Sequence, residues 1–367
     1  MNVNTLKLRN IFELVSTFVS ANPIHAIKEN ILLDATGPTL VIRAEDEDGG
    51  IRVETDIIVS NKNRFLLAVP ARILQSTFKQ LLDAEVTLVA TPEKATLEIL
   101  SANGRYKISC DDGANFPKFP VHSGEKITAS AEALLGALES TLPTVSTDEL
   151  RFSMNGVRIA EPSKTGSSVI FSTDSHALVR FENEELKGLP VNTTIHRKSA
   201  LKLVSVLNGR DVVSVSKSEF KIFFEFNGIT VYGTTIMDKF PDVTPFFGLP
   251  PEPITCRMRR SDLIGSLKRA GVYTQRASPV VKLSLKGQQV NISGQDHDYN
   301  KGFSEDFLVD HVGEDLDIVF NLSKLTEIIS LIEDEEIVLN FLAENKPLRV
   351  RSNNLRIEAI LMPNIPK

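Results

Sequence analysis

The sequence predicts an α+β protein built from three homologous domains, each carrying two helices among strands. Three observations predict it: one helix-and-strand pattern runs through the chain three times, its landmarks recur at near-constant spacing, and 367 residues are too many for one ordinary core.

The first copy opens with an amphipathic helix predicted over 6–19 and a strand over 39–44 that ends in Glu45-Asp46-Glu47-Asp48-Gly49-Gly50. A strand over 64–69 feeds a second helix at Pro70-Ala71-Arg72-Ile73-Leu74, and a strand over 105–110 leads to Phe116-Pro117. The second copy places helices over 131–141 and 197–207. Its strand over 168–172 ends at Thr173-Asp174-Ser175-His176, and a strand over 230–236 leads to Phe240-Pro241. The third has helices over 261–270 and 323–332, a strand over 290–293 followed by Gln295-Asp296-His297-Asp298, and closes at Met362-Pro363.

The strand-end aspartates Asp46, Asp174 and Asp296 lie 128 and 122 residues apart, and Pro117, Pro241 and Pro363 lie 124 and 122 apart. A repeat of this size is a domain rather than one unit of a solenoid. The expected boundaries are 1–124, 125–250 and 251–367. The connectors are Val121-His122-Ser123-Gly124 and the stiffer Gly248-Leu249-Pro250-Pro251-Glu252-Pro253, where proline fixes φ and restricts the residue before it.

A hydrophobic fraction of 42% and a charged fraction of 24% are those of a soluble globular chain. With no run of eighteen apolar residues and no basic-then-apolar N-terminal segment, the expectation is a cytoplasmic protein. Cys110 and Cys256 are far apart and lie in strand-like runs, so neither a disulfide nor a zinc site is expected. The net charge of −6 argues against generalised nucleic-acid adhesion but leaves room for a local basic face.

Helices offer such a face. Ala200, Leu201, Val204 and Leu207 form an apolar stripe that leaves Lys198 and Lys202 on the other side, and Ile73, Leu74, Phe78 and Leu81 do the same for Arg72 and Lys79. Any one such face reads first as a solvated helix surface, and it is repetition across the domains that raises the alternative of a shared binding surface. Catalytic patterns are absent: adjacent Ser175 and His176 point to opposite sides of an extended segment, and no nucleophile elbow, Walker A or dinucleotide fingerprint occurs. Asp296-His297-Asp298 reads as a turn before it reads as metal ligands, so no enzyme activity, metal or cofactor is expected.

The three copies, with LRFSMNG at 150–156, STDSHALV at 172–179, MDKFPDV at 237–243 and ILMPNIP at 360–366, resemble the bacterial DNA sliding clamp, the beta subunit of the replicative DNA polymerase. The resemblance covers essentially the whole chain. It is weakest in the first domain, where AEDEDGG replaces the usual T-D turn and HAIKEN at 25–30 stands in for an L-P-I-L-x-N motif.

The resemblance implies helices packed on antiparallel sheets and a head-to-tail homodimeric ring of six domains around duplex DNA, bound without sequence preference. Further implied partners are a clamp loader, the polymerase and other proteins bearing a clamp-binding motif; no membrane partner is implied. Arg72, Arg197 and Lys198 match basic family positions facing DNA, while Lys79 and Lys202 join them from helical spacing alone. The family's peptide groove maps onto Met154, Thr173, Ser175, His176, Ala177, Leu178, Pro241, Phe246, Ile360, Met362 and Pro363, which otherwise read as interdomain core. Tyr106, Ile108, Val272 and Tyr273 map onto the dimer interface and otherwise read as local core. The rival expectation is a clamp-fold interaction scaffold without ring closure or DNA tracking.

Overall fold

Helices form where apolar residues recur three and four apart. In this computed structural model, which describes all residues except 21, 122–123, 164–165, 208–211, 248–251, 297 and 365–367, α1 spans Thr5–Ser16. Its cap is Asn4, whose side chain accepts the Lys7 N–H at 2.9 Å, and it buries Leu8, Phe12 and Val15. Helix α2, Ala71–Gln80, starts after Pro70 and buries Ala71, Leu74 and Phe78; the Phe12 and Phe78 rings meet edge to face at 4.9 Å. Then come α3 (Ala131–Thr141), α4 (Arg197–Val206), the single turn α5 (Thr244–Phe247), α6 (Arg260–Tyr273) and α7 (Leu322–Ser330). Asn321 caps α7 by accepting the Lys324 N–H at 3.0 Å.

The described residues gather into two compact units: Met1–Leu135 with Gly188–Pro190 and Ile195–Ile236, and Gly136–Lys187 with Val191–Thr194 and Met237–Lys367. In the first unit a small antiparallel sheet runs Asn2–Asn4, Glu85–Thr91, Thr96–Leu100, Arg105–Ser109. A long antiparallel sheet runs Ile127–Ser130, Val212–Lys217, Lys221–Phe226, Ile229–Ile236, Gly49–Ile58, Thr39–Glu45, Asn30–Asp34, Leu66–Pro70, Asp111–Asp112. The second unit repeats the plan. Its long sheet runs Gly156–Ile159, Ser168–Thr173, Ala177–Asn183, Ile357–Leu361, Leu348–Arg351, Glu336–Phe341, Ile254–Arg259, Asp310–Val312. Its small one runs Lys301–Leu308, Gln289–Asp296, Val280–Lys286, Leu316–Asn321.

Each long sheet carries one seam where a strand of one repeat pairs with the last strand of the next. In the first unit Gly49 and Gly50 stand opposite Gly233 and Tyr232; in the second Ala177 and Leu178 stand opposite Leu361 and Ile360. The strand-end aspartates make the same turn three times. Asp46 Oδ1 accepts the N–H groups of Asp48 and Gly49, Asp174 Oδ1 those of His176 and Ala177, and Asp296 Oδ1 those of Asp298 and Tyr299, all at 2.8–3.3 Å.

Three local expectations change. The buried stripe of α4 is Ser199, Ala200, Leu203 and Val206, so Leu201 is exposed. Ile73 of α2 is also exposed. Val272 and Tyr273 belong to the last turn of α6 rather than following it. His122, His297, parts of both connectors and the end of the ILMPNIP motif lie outside the described residues.

Candidate functional site

In the second unit the strand-end turn becomes the wall of an apolar groove. Thr173 Oγ1 accepts the Ser175 N–H at 3.1 Å and donates to the Ala177 carbonyl at 2.7 Å, which closes the turn from inside. Ser175 is driven to φ +75°, a region that disfavours side chains. Its hydroxyl accepts a hydrogen bond from Arg151, whose Nε also lies 3.5 Å from Asp148 Oδ2. The turn is anchored to the last strand by the Met362 N–H, which donates to the His176 carbonyl at 2.8 Å. Behind the groove, Leu178, Ile360, Phe240 and Val243 form a small core against which Phe171 and Phe247 pack.

The resulting cavity measures about 250 Å³. Met154, Thr173, Ser175, His176, Ala177, Leu178, Pro241, Phe246, Ile360 and Met362 all line it, together with Asp242 and Val243. Pro363 is buried but does not line it. Reasoning from sequence missed Asp242, Val243 and Arg151. Asp242 had a readable signal, because an Asp two residues before Thr244 caps the α5 turn: its carboxylate accepts the Thr244 N–H at 3.0 Å, and its hydrogen bonds from Thr244 hold its pKa below the usual carboxylate range. Arg151 had none, since its partner Ser175 lies 24 residues away. The lining offers shape and dispersion to a leucine or phenylalanine side chain, with methionine adaptable at the rim, and no nucleophile–base pair.

Each seam turn is also gripped by a lysine of the following repeat's second helix. Lys324 of α7 reaches Asp174 Oδ2 at 2.8 Å and Glu327 at 3.1 Å. Burial opposes both charges, yet hydrogen bonding between them prevails: Asp174 is held below the ordinary carboxylate range and Lys324 above the ordinary amine range. In the first unit Lys202 of α4 pairs with Asp46, the two side chains being 14% and 13% exposed. This corrects the reading of Lys202 as a free cation facing DNA. The stripe of α4 is rotated by one residue, which turns Lys202 toward the seam.

Arg72, Lys79 and Lys198 are exposed and Arg197 half-buried, all within the first unit. Tyr106 and Ile108 share one face of the strand Arg105–Ser109, Tyr106 exposed and Ile108 buried, while Val272 and Tyr273 are exposed on α6. At the third turn Asp298 accepts a hydrogen bond from Gln275 at 2.7 Å, so both described aspartates there have hydrogen-bond partners.

Fold and groove together define a class, the DNA clamp fold with an apolar groove at a seam between repeats. Residues 254–364 match the family model for the DNA polymerase III beta subunit, C-terminal domain. The chain is 25% identical to the beta sliding clamp of Synechocystis sp., over 95% of each chain, and 22% identical to that of Synechococcus elongatus, over 97% of this chain and 96% of the other. Among solved structures it is similar to the sliding clamp, DNA polymerase III subunit beta, from Bartonella birtlesii bound to griselimycin (TM-score 0.92, 23% identity, 100% and 99% coverage). It is also similar to the DNA polymerase III beta subunit from Thermotoga maritima (TM-score 0.89, 22% identity, 100% and 99% coverage). Residues 254–364 thus match the DNA polymerase III beta subunit family, and over its length the chain is similar in sequence and fold to bacterial beta sliding clamps.

Proposed function

We propose that the chain is a non-catalytic, cytoplasmic DNA sliding clamp. Two copies of three domains each, 1–124, 125–250 and 251–367, close a ring around duplex DNA, are opened by a clamp loader, and hold the polymerase through a peptide in the groove.

The observation that carries this reading is the seam rule. At both seams within the chain, the strand after an aspartate turn pairs with the last strand of the next repeat. The strand after the third turn, Lys301–Leu308, pairs among the described residues only with Gln289–Asp296, and Arg105–Ser109 only with Thr96–Leu100. Carrying the rule one step further pairs those two edges between copies, which removes two exposed strand edges and covers Tyr106, Tyr273 and Leu308. Arg72, Lys79, Arg197 and Lys198 then meet phosphates, contacts that carry no sequence information and so permit sliding.

Size in solution and retention on DNA test the ring. A dimer retained on nicked circular DNA and released when the circle is cut supports it; a stable monomer at micromolar concentration with no retention overturns it. For the groove, Met362→Asp is expected to abolish binding of a polymerase-tail peptide and leave the dimer intact, and unchanged peptide affinity overturns the assignment.

A further inference from the structure

The acidic run at the first turn lies against α4 and its cations. Lys198 Nζ stands 3.3 Å from Asp48 Oδ2, Lys202 pairs with Asp46, and Lys28 Nζ lies 3.7 Å from both Glu45 and Glu47 while donating to the Asp46 carbonyl at 3.1 Å. His196 Nδ1 is 3.6 Å from Asp48 Oδ1.

The Asp48 backbone is fixed on both sides. Its N–H donates to Asp46 Oδ1 at 2.9 Å, and its carbonyl accepts from Ser199 Oγ at 2.7 Å and the Thr234 N–H at 3.1 Å. The carboxylate is therefore presented from a rigid turn toward the first turn of α4. Burial lowers the pKa of His196 despite the attraction of Asp48, so at neutral pH the imidazole is uncharged and the Asp48 charge is left to Lys198. Lys198 is 65% exposed and Asp48 22%, so this is a labile surface pair, unlike the Lys202–Asp46 pair beneath it.

We propose that Asp48 is a positioning residue that competes with DNA phosphate for Lys198, and so sets how tightly the α4 face holds the backbone. The proposal rests on the reading of α4 as a DNA-facing helix. A cation already committed to a carboxylate releases less counterion-driven free energy when a phosphate arrives, because one attraction is exchanged for another. Arg197, which makes no ion pair among the described residues, remains the stronger contact. The first domain's departure from the family turn thus acts as a brake on backbone affinity, in keeping with a protein that slides.

The test is anisotropy of a fluorescein-labelled duplex with the full-length chain across a range of NaCl concentrations. Asp48→Asn is expected to tighten binding about three-fold at low salt and to steepen the log–log salt slope by up to about one. Asp48→Glu is expected to restore wild-type behaviour, and the gain should vanish in a Lys198→Gln background. Unchanged affinity and slope in Asp48→Asn, or a full gain without Lys198, overturns the proposal. Should Asp48→Asn fold poorly, Lys198→Gln alone decides: a loss smaller than that of Arg197→Ala supports the competition, and an equal loss overturns it. If Arg197→Ala itself leaves affinity and slope unchanged, the DNA-facing reading falls and the proposal with it. If Arg197→Ala weakens binding while Asp48→Asn and Lys198→Gln are both flat, the proposal alone falls.

Discussion

The two seams within the chain pair rung for rung alike, yet among the described residues the apolar groove lies at the second. Gly50 opposite Tyr232 in the first unit answers to Leu178 opposite Ile360 in the second. A Cβ on Gly50 would lie 2.5 Å from Tyr232 Cε1, and one on Gly49 2.4 Å from the Tyr232 carbonyl oxygen, so glycines are required for the tyrosine to lie there. The Phe119 ring meets Tyr232 edge to face at 5.2 Å, Arg43 lies 5.4 Å over Phe119, and the tyrosine hydroxyl donates to Glu45 at 3.2 Å. Aromatic filling on a glycine floor plugs the first seam. A Leu–Ile pair in the second leaves a cavity of about 250 Å³. The difference lies in side-chain volume at one rung, since the strand pairing and the aspartate hydrogen bonds of the turn are shared.

The largest expected effect tests the plug. Tyr232 is buried, so Tyr232→Ala removes a large ring, opens a cavity and costs the Glu45 carboxylate one of its partners; about 3 kcal/mol of stability should be lost in urea unfolding. A loss below about 1 kcal/mol would mean that the seam collapses to fill the space and that the plug matters little. Tyr232→Phe keeps the ring and should lose about 1 kcal/mol, the share of the hydroxyl.

The lysine clasps come next. Lys202 and Asp46 are both nearly buried, whereas Lys324 is 31% exposed and its partner Asp174 14%. Removing one member of the buried pair strands a charge, so Lys202→Ala should cost about 3 kcal/mol, against about 1 kcal/mol for the more solvated Lys324→Ala. Equal losses would erase the contrast between seams. The second clasp also carries a pH signature. The pKa of Asp174 is depressed in the folded state, so its contribution is complete above the unfolded carboxylate value and is lost as pH falls through the folded one. The gap between wild type and Lys324→Ala is therefore expected at pH 7, should begin to narrow below about pH 4 and should close as pH falls through the depressed Asp174 value.

What the sequence made legible follows from periodicity. The three turns were readable because Asp, Ser, His and Glu interrupt apolar strands at matching places, and every major helix lies within a few residues of its expected span. The face of α4 was misread by one residue because Ser199 looks like a surface side chain. It is buried because its hydroxyl donates to the Asp48 carbonyl and accepts the Thr234 N–H at 3.1 Å, partners 151 and 35 residues away. A rotation of one residue is about 100°, enough to carry Lys202 from solvent to Asp46. The groove lining was legible through the family motifs, whereas Arg151 and the plug at Tyr232 depend on tertiary neighbours that no local pattern encodes.

The smallest expected effect separates the turns themselves. Ser175 sits at φ +75°, where a Cβ is strained, while its counterpart Glu47 is not among the residues with positive φ. Ser175→Gly should relieve that strain and gain about 0.5 kcal/mol, less whatever the Arg151 hydrogen bond contributes. Glu47→Gly has no strain to relieve and frees the unfolded chain, so it should lose about 0.5–1 kcal/mol. Opposite signs in paired urea titrations would show that the second turn holds its wall of the groove against a local backbone cost absent from the first. A loss at Ser175→Gly would instead mean that the Arg151 contact outweighs the strain, making that arginine part of what shapes the groove.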